Sequence, residues 1–216
     1  MRKMLGVAIV LAFWATPAMA SILNTAHDLS SSSDATLKSD NQTELCIFCH
    51  TPHAASTSVD NAPLWNRSHT PAALEVTDLY DSTTLETDSK PAAVVDAVNA
   101  SDALLCLSCH DGTSMAGGLV NPSNADGDPT FAGGAAISSG ANLFDDTNML
   151  TNDHPIGMDY ATVATDDDGL NLDPGLRFFG GIMWCASCHN VHDNTHEPFL
   201  AQDNAASALC LKCHNK

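Results

Sequence analysis

Cysteine and histidine recur in one fixed order: Cys46-Ile-Phe-Cys49-His50, Cys106-Leu-Ser-Cys109-His110, Cys185-Ala-Ser-Cys188-His189 and Cys210-Leu-Lys-Cys213-His214. These four Cys-x-x-Cys-His runs use all eight cysteines of the 216-residue chain. Two thiols three residues apart, followed at once by an imidazole, match the attachment pattern of c-type haem. Each thiol pair would form thioethers with the two vinyl groups of one porphyrin. The histidine would then bind the iron from the near side.

Other chemistries use paired cysteines. Eight cysteines allow 105 disulfide connectivities, and two Cys-x-x-Cys pairs can hold a structural zinc. Neither needs histidine after the second cysteine. With 10 histidines in 216 residues, four chance successors would arise about five times in a million. Four haem c groups, with iron as the metal, are the expected cofactors.

Haem attachment of this kind takes place outside the cytoplasm, and the first residues agree. Met1-Arg2-Lys3 is a basic start, Met4 to Trp14 is apolar, and Ala18-Met19-Ala20 is a small-residue cleavage site. Residues 1–20 therefore read as a secretory signal peptide rather than a membrane anchor. The rest, 21–216, reads as one tetrahaem cytochrome domain with no later transmembrane segment. Localisation is expected to be secreted, extracellular or at the cell surface, with the periplasm as the alternative.

The expected mature chain has about 49 residues per haem, too few for a conventional core around each cofactor. The fold expected is a multihaem cytochrome c: mostly irregular, with a few short α-helices and little β-structure, packed around a row of four haems that act as the core. Without Arg2 and Lys3 the chain keeps six basic against 26 acidic residues, a net charge of −20. Such a surface disfavours nucleic acid and anionic membrane.

The elements that must position the motifs are thinly marked. Residues 21–43 are rich in Ser, Asp and Thr and read as an extended, loosely attached arm, with Ser30–Ser33 as plain linker. A helix is expected from Pro91 to Leu105, running into the second motif. Residues 111–153 and 165–175 read as irregular loops. Asp166–Asp168 with Gly169 lacks the ligand spacing of a calcium loop. Motif starts are 60, 79 and 25 residues apart, so no fixed repeat is visible. Leu45, Leu105, Trp184 and Leu209, each just before a first cysteine, are expected to pack against porphyrin.

The far side of each iron separates a wire from an enzyme, because an iron with two protein ligands has no place for substrate. Beyond the proximal His50, His110, His189 and His214, six histidines remain. His53 and His192 each follow a proximal histidine by three residues. Neither can reach the opposite face of its own haem, so each is expected to ligate a neighbouring one. His154, stiffened by Pro155, and His27, with Asp28 available to orient its ring, complete the expected distal set. His69 and His196 are spares, and Met115, Met149, Met158 and Met183 are alternative ligands whose commoner role is core filler.

The phrases His27-Asp-Leu-Ser, Cys46 to His53, Pro63-Leu-Trp-Asn66, Cys106 to Gly112, His154-Pro-Ile156 and Cys185 to His192 together resemble OmcE-like tetrahaem c-type cytochromes of metal-reducing bacteria. The resemblance implies a secreted protein with four bis-histidine haems; the supply of spare histidines argues separately against an enzyme. The resemblance implies polymerisation into extracellular conductive filaments, with other redox proteins or external metal acceptors as partners. It further implies that one haem takes its distal histidine from the neighbouring subunit, with His53 the first choice of donor and His27 the second. A monomeric periplasmic shuttle and a reductase with one open iron are the competing functions. Elemental analysis of the secreted protein should return four irons per chain and no zinc, and colourless or zinc-loaded protein would reject the reading.

Overall fold

The computed structural model describes residues 22–59, 62–68, 71–80, 82, 92–113, 115, 118–144 and 149–215. The expected signal peptide, Pro91 and His69 lie outside these residues. Among them, helices are short and sheet is scarce. α1 is Ala92–Asn99, α2 Ala103–His110, β1 Met158–Asp159, α3 Tyr160–Asp166, β2 Ile182–Met183, α4 Cys185–Cys188 and α5 Cys210–Cys213. Single 3-10 turns lie at Val76–Asp78 and Ala205–Ser207. No helix among the described residues is long and apolar enough to cross a membrane.

The expected continuous helix over 91–105 is instead two helices, broken between Asn99 and Ala103. Side-chain chemistry at the junction explains the break. The Asn99 amide is committed to Leu74, accepting from its backbone N–H at 2.8 Å and donating to its carbonyl at 2.9 Å. The Ser101 hydroxyl donates back to the Val98 carbonyl at 2.7 Å and accepts from the Ala103 N–H at 3.1 Å. Short polar side chains that bond the local backbone compete with helix propagation. The restart at Ala103 sets the phase of the helix that carries the second motif.

Side chains form two small cores of their own, so haem does not stand in for all of the packed interior. In the first, Val98, Leu104, Leu105 and Leu107 pack with Val59, Leu74, Leu150 and Trp184. Leu74, Val98 and Leu107 are at most 2% exposed, and burial of each contributes about 1.5–3 kcal/mol. This cluster ties the helix of motif 2 to Trp184, at the head of motif 3. In the second, Leu29, Ile47, Phe48, Met115, Leu119 and Ala135 gather, with Cys49 and Cys109 packed against them. Met158 and Met183 are buried partners across the β1–β2 ladder.

The N-terminal arm is not loose. Leu29 enters the second core, and Asp28, Ser30, Ser33, Ser39 and Gln42 are buried. Ser30 and Ser33 are therefore structural rather than plain linker. Asn41 Nδ2 donates to the carbonyls of Asp126 and Asp128, and Gln42 Nε2 donates to that of Gly127. The Asp40 N–H donates to Thr130 O at 2.8 Å. Hydroxyl, amide and carboxylate side chains here satisfy the backbone of an irregular loop, work that helices and sheets do for themselves.

Asn66 does the same for motif 1. It is fully buried; its Nδ2 donates to the carbonyls of Ile47 (2.7 Å) and Asn121 (3.1 Å), and its Oδ1 accepts from Asn121 N–H at 2.9 Å. Replacing Asn66 by Ala strands these groups and should cost about 2–3 kcal/mol. A thermal melt of the holoprotein with an unchanged Tm would contradict this.

Candidate haem sites

Each motif is wound as one helical turn. The histidine N–H donates to the carbonyl of the first cysteine in His50 to Cys46 (2.8 Å), His189 to Cys185 (3.0 Å) and His214 to Cys210 (3.0 Å), while motif 2 lies within α2. Residues i, i+3 and i+4 of such a turn share one face. Both thiols and the imidazole of each motif therefore project to one side, the arrangement that one flat cofactor requires. The eight thiols form no disulfide.

A crossing segment fastens each turn from behind. At motif 1, Thr51 N–H donates to Leu64 O, Asn66 N–H to Cys49 O, and His50 Nδ1 to Pro63 O at 2.7 Å. At motif 3, Asn190 N–H donates to Phe199 O, Ala201 N–H to Cys188 O, and His189 Nδ1 to Pro198 O at 3.2 Å. Leu64 and Phe199 share the same left-handed backbone, φ 56° and 59°, a conformation that costs a non-glycine residue about 1 kcal/mol. Motifs 1 and 3 are thus a structural repeat that the uneven motif spacing hides. Motif 2 uses Ala141, whose carbonyl accepts from His110 Nδ1 at 2.6 Å. Motif 4 is clamped by residues 169–171, through Asn171 N–H to Cys213 O and Asn215 N–H to Gly169 O.

These bonds settle a tautomer. A carbonyl only accepts, so Nδ1 of His50, His110 and His189 carries the proton and Nε2 keeps its lone pair. A metal-binding histidine commonly has its second nitrogen held in this way. His154 Nδ1 likewise donates to Pro155 O at 3.0 Å.

Imidazoles face one another in pairs. Ring centres are 6.0 Å apart for His50 and His192, 6.1 Å for His27 and His110, and 6.4 Å for His154 and His214. Two imidazoles bonded to one ion at about 2 Å each have centres about 6 Å apart. The donor set therefore fits one iron between each pair. The planes are near parallel in the first pair, 18°, and steep in the others, 84° and 68°. His189 faces no second imidazole in this way among the described residues.

The remaining histidines divide. His53 is exposed, and its carbonyl accepts from Thr51 Oγ1 and Asn121 Nδ2. The carbonyl of His196 accepts from Leu200 N–H. His27 is oriented differently from expectation. Asp28 is engaged elsewhere, accepting from Asn24 N–H, Ser30 N–H and Ser30 Oγ. The His27 ring instead stacks on Phe199 at 4.3 Å. Its Nδ1 is buried without a hydrogen bond of normal geometry. Burial first, then repulsion from His110, His189 and His192, lowers its pKa to about 4. A buried imidazole held neutral is ready to ligate a metal.

The thiols are mostly neutral as well. Burial pushes Cys49 up to about 12 and also raises Cys109, Cys188 and Cys213. Cys106 is raised by its hydrogen bond with Cys185. Neutral thioethers sit in such surroundings at less cost than the thiolates of a zinc site. Neighbouring motifs come together through these sulfurs: Cys49 and Cys109 pack against one core, and Cys106 bonds Cys185. A cavity of about 430 Å³ lined by Ala164, Thr165, Asp168, Leu170, Asn171, Leu172 and Asn215 lies behind the motif 4 clamp and contains none of the paired imidazoles.

Sequence reasoning missed Phe199, Arg67 and the proline carbonyls. The shared Pro-Leu-Trp and Pro-Phe-Leu after motifs 1 and 3 was the available signal, obscured by unequal separations of 13 and 9 residues between histidine and proline.

Comparison with known families finds the doubled CXXCH motif over residues 180–216, which covers motifs 3 and 4. That stretch is a c-type cytochrome-like region, and its motifs are sites of covalent haem c attachment. No curated relative matches the chain.

Proposed function

We propose that the chain is an electron-transfer protein, not an enzyme, with a haem c at each of the four motifs. The observation that carries this reading is the set of three imidazole pairs spaced for one iron each. Haem, when bound, supplies the one-electron ferric–ferrous couple. The protein holds it: the cysteine pairs anchor, and His50, His110, His189 and His214 ligate from the near side. Carbonyls of Pro63, Ala141 and Pro198 fix ring orientation. His192, His27 and His154, facing His50, His110 and His214, would supply the second ligands at motifs 1, 2 and 4 and leave no place for substrate there. The shared packing of Cys49 and Cys109 and the bond between Cys106 and Cys185 support a continuous row of haems.

Among the described residues no imidazole faces His189, and in this reading its distal ligand is supplied from outside the subunit. His53 is exposed, uncommitted through its ring to any described imidazole, and projects from the motif that is the structural twin of motif 3. In the filament reading, His53 of one copy completes the site of His189 in the next, and secreted subunits polymerise to carry electrons to an external acceptor. The lack of an opposed ring at His189 among the described residues also fits a reductase with one open iron. A monomeric periplasmic shuttle shares the chemistry without the polymer.

Electron paramagnetic resonance of the ferric protein should separate two ligand classes. Steeply crossed imidazoles at motifs 2 and 4 give large-g signals, and near-parallel rings at motif 1 give an ordinary rhombic signal. A single uniform class would contradict the three-pair assignment. His53→Ala should abolish filaments in negative-stain images while the subunit mass keeps four haems. Normal filaments from this variant would reject His53 as the donor, and high-spin iron in intact wild-type filaments would favour the reductase.

A further inference from the structure

Of the basic side chains among the described residues, Lys38, Arg177 and Lys212 are exposed, whereas Arg67 is 1% exposed. The chain holds it inside the second core. Arg67 pairs antiparallel with Leu119, Ser68 N–H donates to Gly118 O at 2.6 Å, and Val120 N–H to Asn66 O at 2.8 Å. Its guanidinium Nη1 donates to the Met115 carbonyl at 3.4 Å. Met115 and Leu119 belong to the cluster on which Cys49 and Cys109 both pack. Gly118, at φ +81°, leaves the space beside it open; a Cβ there would stand 3.8 Å from Nη2. One fixed cation thus lies against the core on which the attachment sulfurs Cys49 and Cys109 pack.

Cys185 packs instead against the first core, and the other basic side chains among the described residues are exposed.

We infer that Arg67 orders the reduction potentials along the chain, making the haems at His50 and His110 easier to reduce than those at His189 and His214. The inference rests on the reading that all four motifs carry haem. Each ferric site takes one electron from a one-electron donor, and its net charge falls by one. A cation held close in a low-dielectric core favours the reduced state, whereas a surface cation would be screened. Arg67 is a positioning charge; it does not touch a reacting group.

The test is an optical redox titration of purified holoprotein with one-electron dye mediators, for wild type, Arg67→Gln and Arg67→Lys. Arg67→Gln should lower the equilibrium constant for reduction about tenfold, or about 59 mV, at two of the four haems. Arg67→Lys, which keeps the charge, should hold those two near wild type. An unchanged curve, or one shifted equally at all four haems, overturns the inference. Should Arg67→Gln yield no holoprotein, paramagnetic nuclear magnetic resonance of partly oxidised wild type decides. The haems of motifs 1 and 2 should be the last to oxidise, and the opposite order overturns the inference. Haem counting by mass on the same samples keeps the two ideas apart. Fewer than four haems breaks the underlying reading and the inference with it, whereas four haems in the wrong order breaks the inference alone.

Discussion

A backbone N–H donated four residues back ties each motif histidine to its first cysteine, and the rest of the molecule is arranged around that bond. It turns two thiols and one imidazole to a common side. Segments downstream of motifs 1, 2 and 3, and residues 169–171 upstream of motif 4, keep the turns from fraying. A one-turn helix is unstable alone, because nucleation fixes several dihedral angles for one hydrogen bond. Here a second segment contributes one or two backbone bonds to each turn, and at motifs 1, 2 and 3 a carbonyl accepts from the histidine Nδ1. The irregular fold is therefore a set of local clamps rather than a failure to form sheet or helix.

The clamps explain the economy of the chain. Motifs 1 and 3 reach the same geometry through loops of different length, so the constraint acts on the end points, not on the path between them. Lengthening a loop costs little closure entropy once its ends are bonded. Polar side chains such as Asn66, Asn41 and Asn171 then take over the pairing that regular structure would provide. Asparagine suits this work because one short amide both donates and accepts.

The motifs were legible in the sequence because their chemistry is local: thiol, thiol and imidazole lie within five residues. The irregular, helix-poor architecture followed from the scarcity of periodic apolar patterns. His192 facing a neighbouring motif also followed from local geometry, since three residues past a proximal histidine is too close to reach round its own cofactor. The rest depends on contacts between distant segments. The break at Asn99–Ser101 is set by Leu74, 25 residues earlier. The Ser/Asp/Thr-rich arm reads as linker because the partners that fix Asn41 and Gln42 lie far along the chain, in residues 126–130. Arg67 is buried by Leu119 and Met115, and nothing adjacent to it announces that. Asp28 is the natural support for His27 by proximity alone, but its carboxylate is spent on its own turn while an aromatic ring from the far end of the chain does the work.

That last contact joins two distant segments of the chain, with the rings of His27 and Phe199 face to face at 4.3 Å. Phe199 lies in the segment that clamps motif 3, so the imidazole opposed to His110 gains its supporting surface only when that clamp is in place. The second and third sites are thereby coupled through one aromatic ring: whatever unseats the clamp on the third loosens the far side of the second.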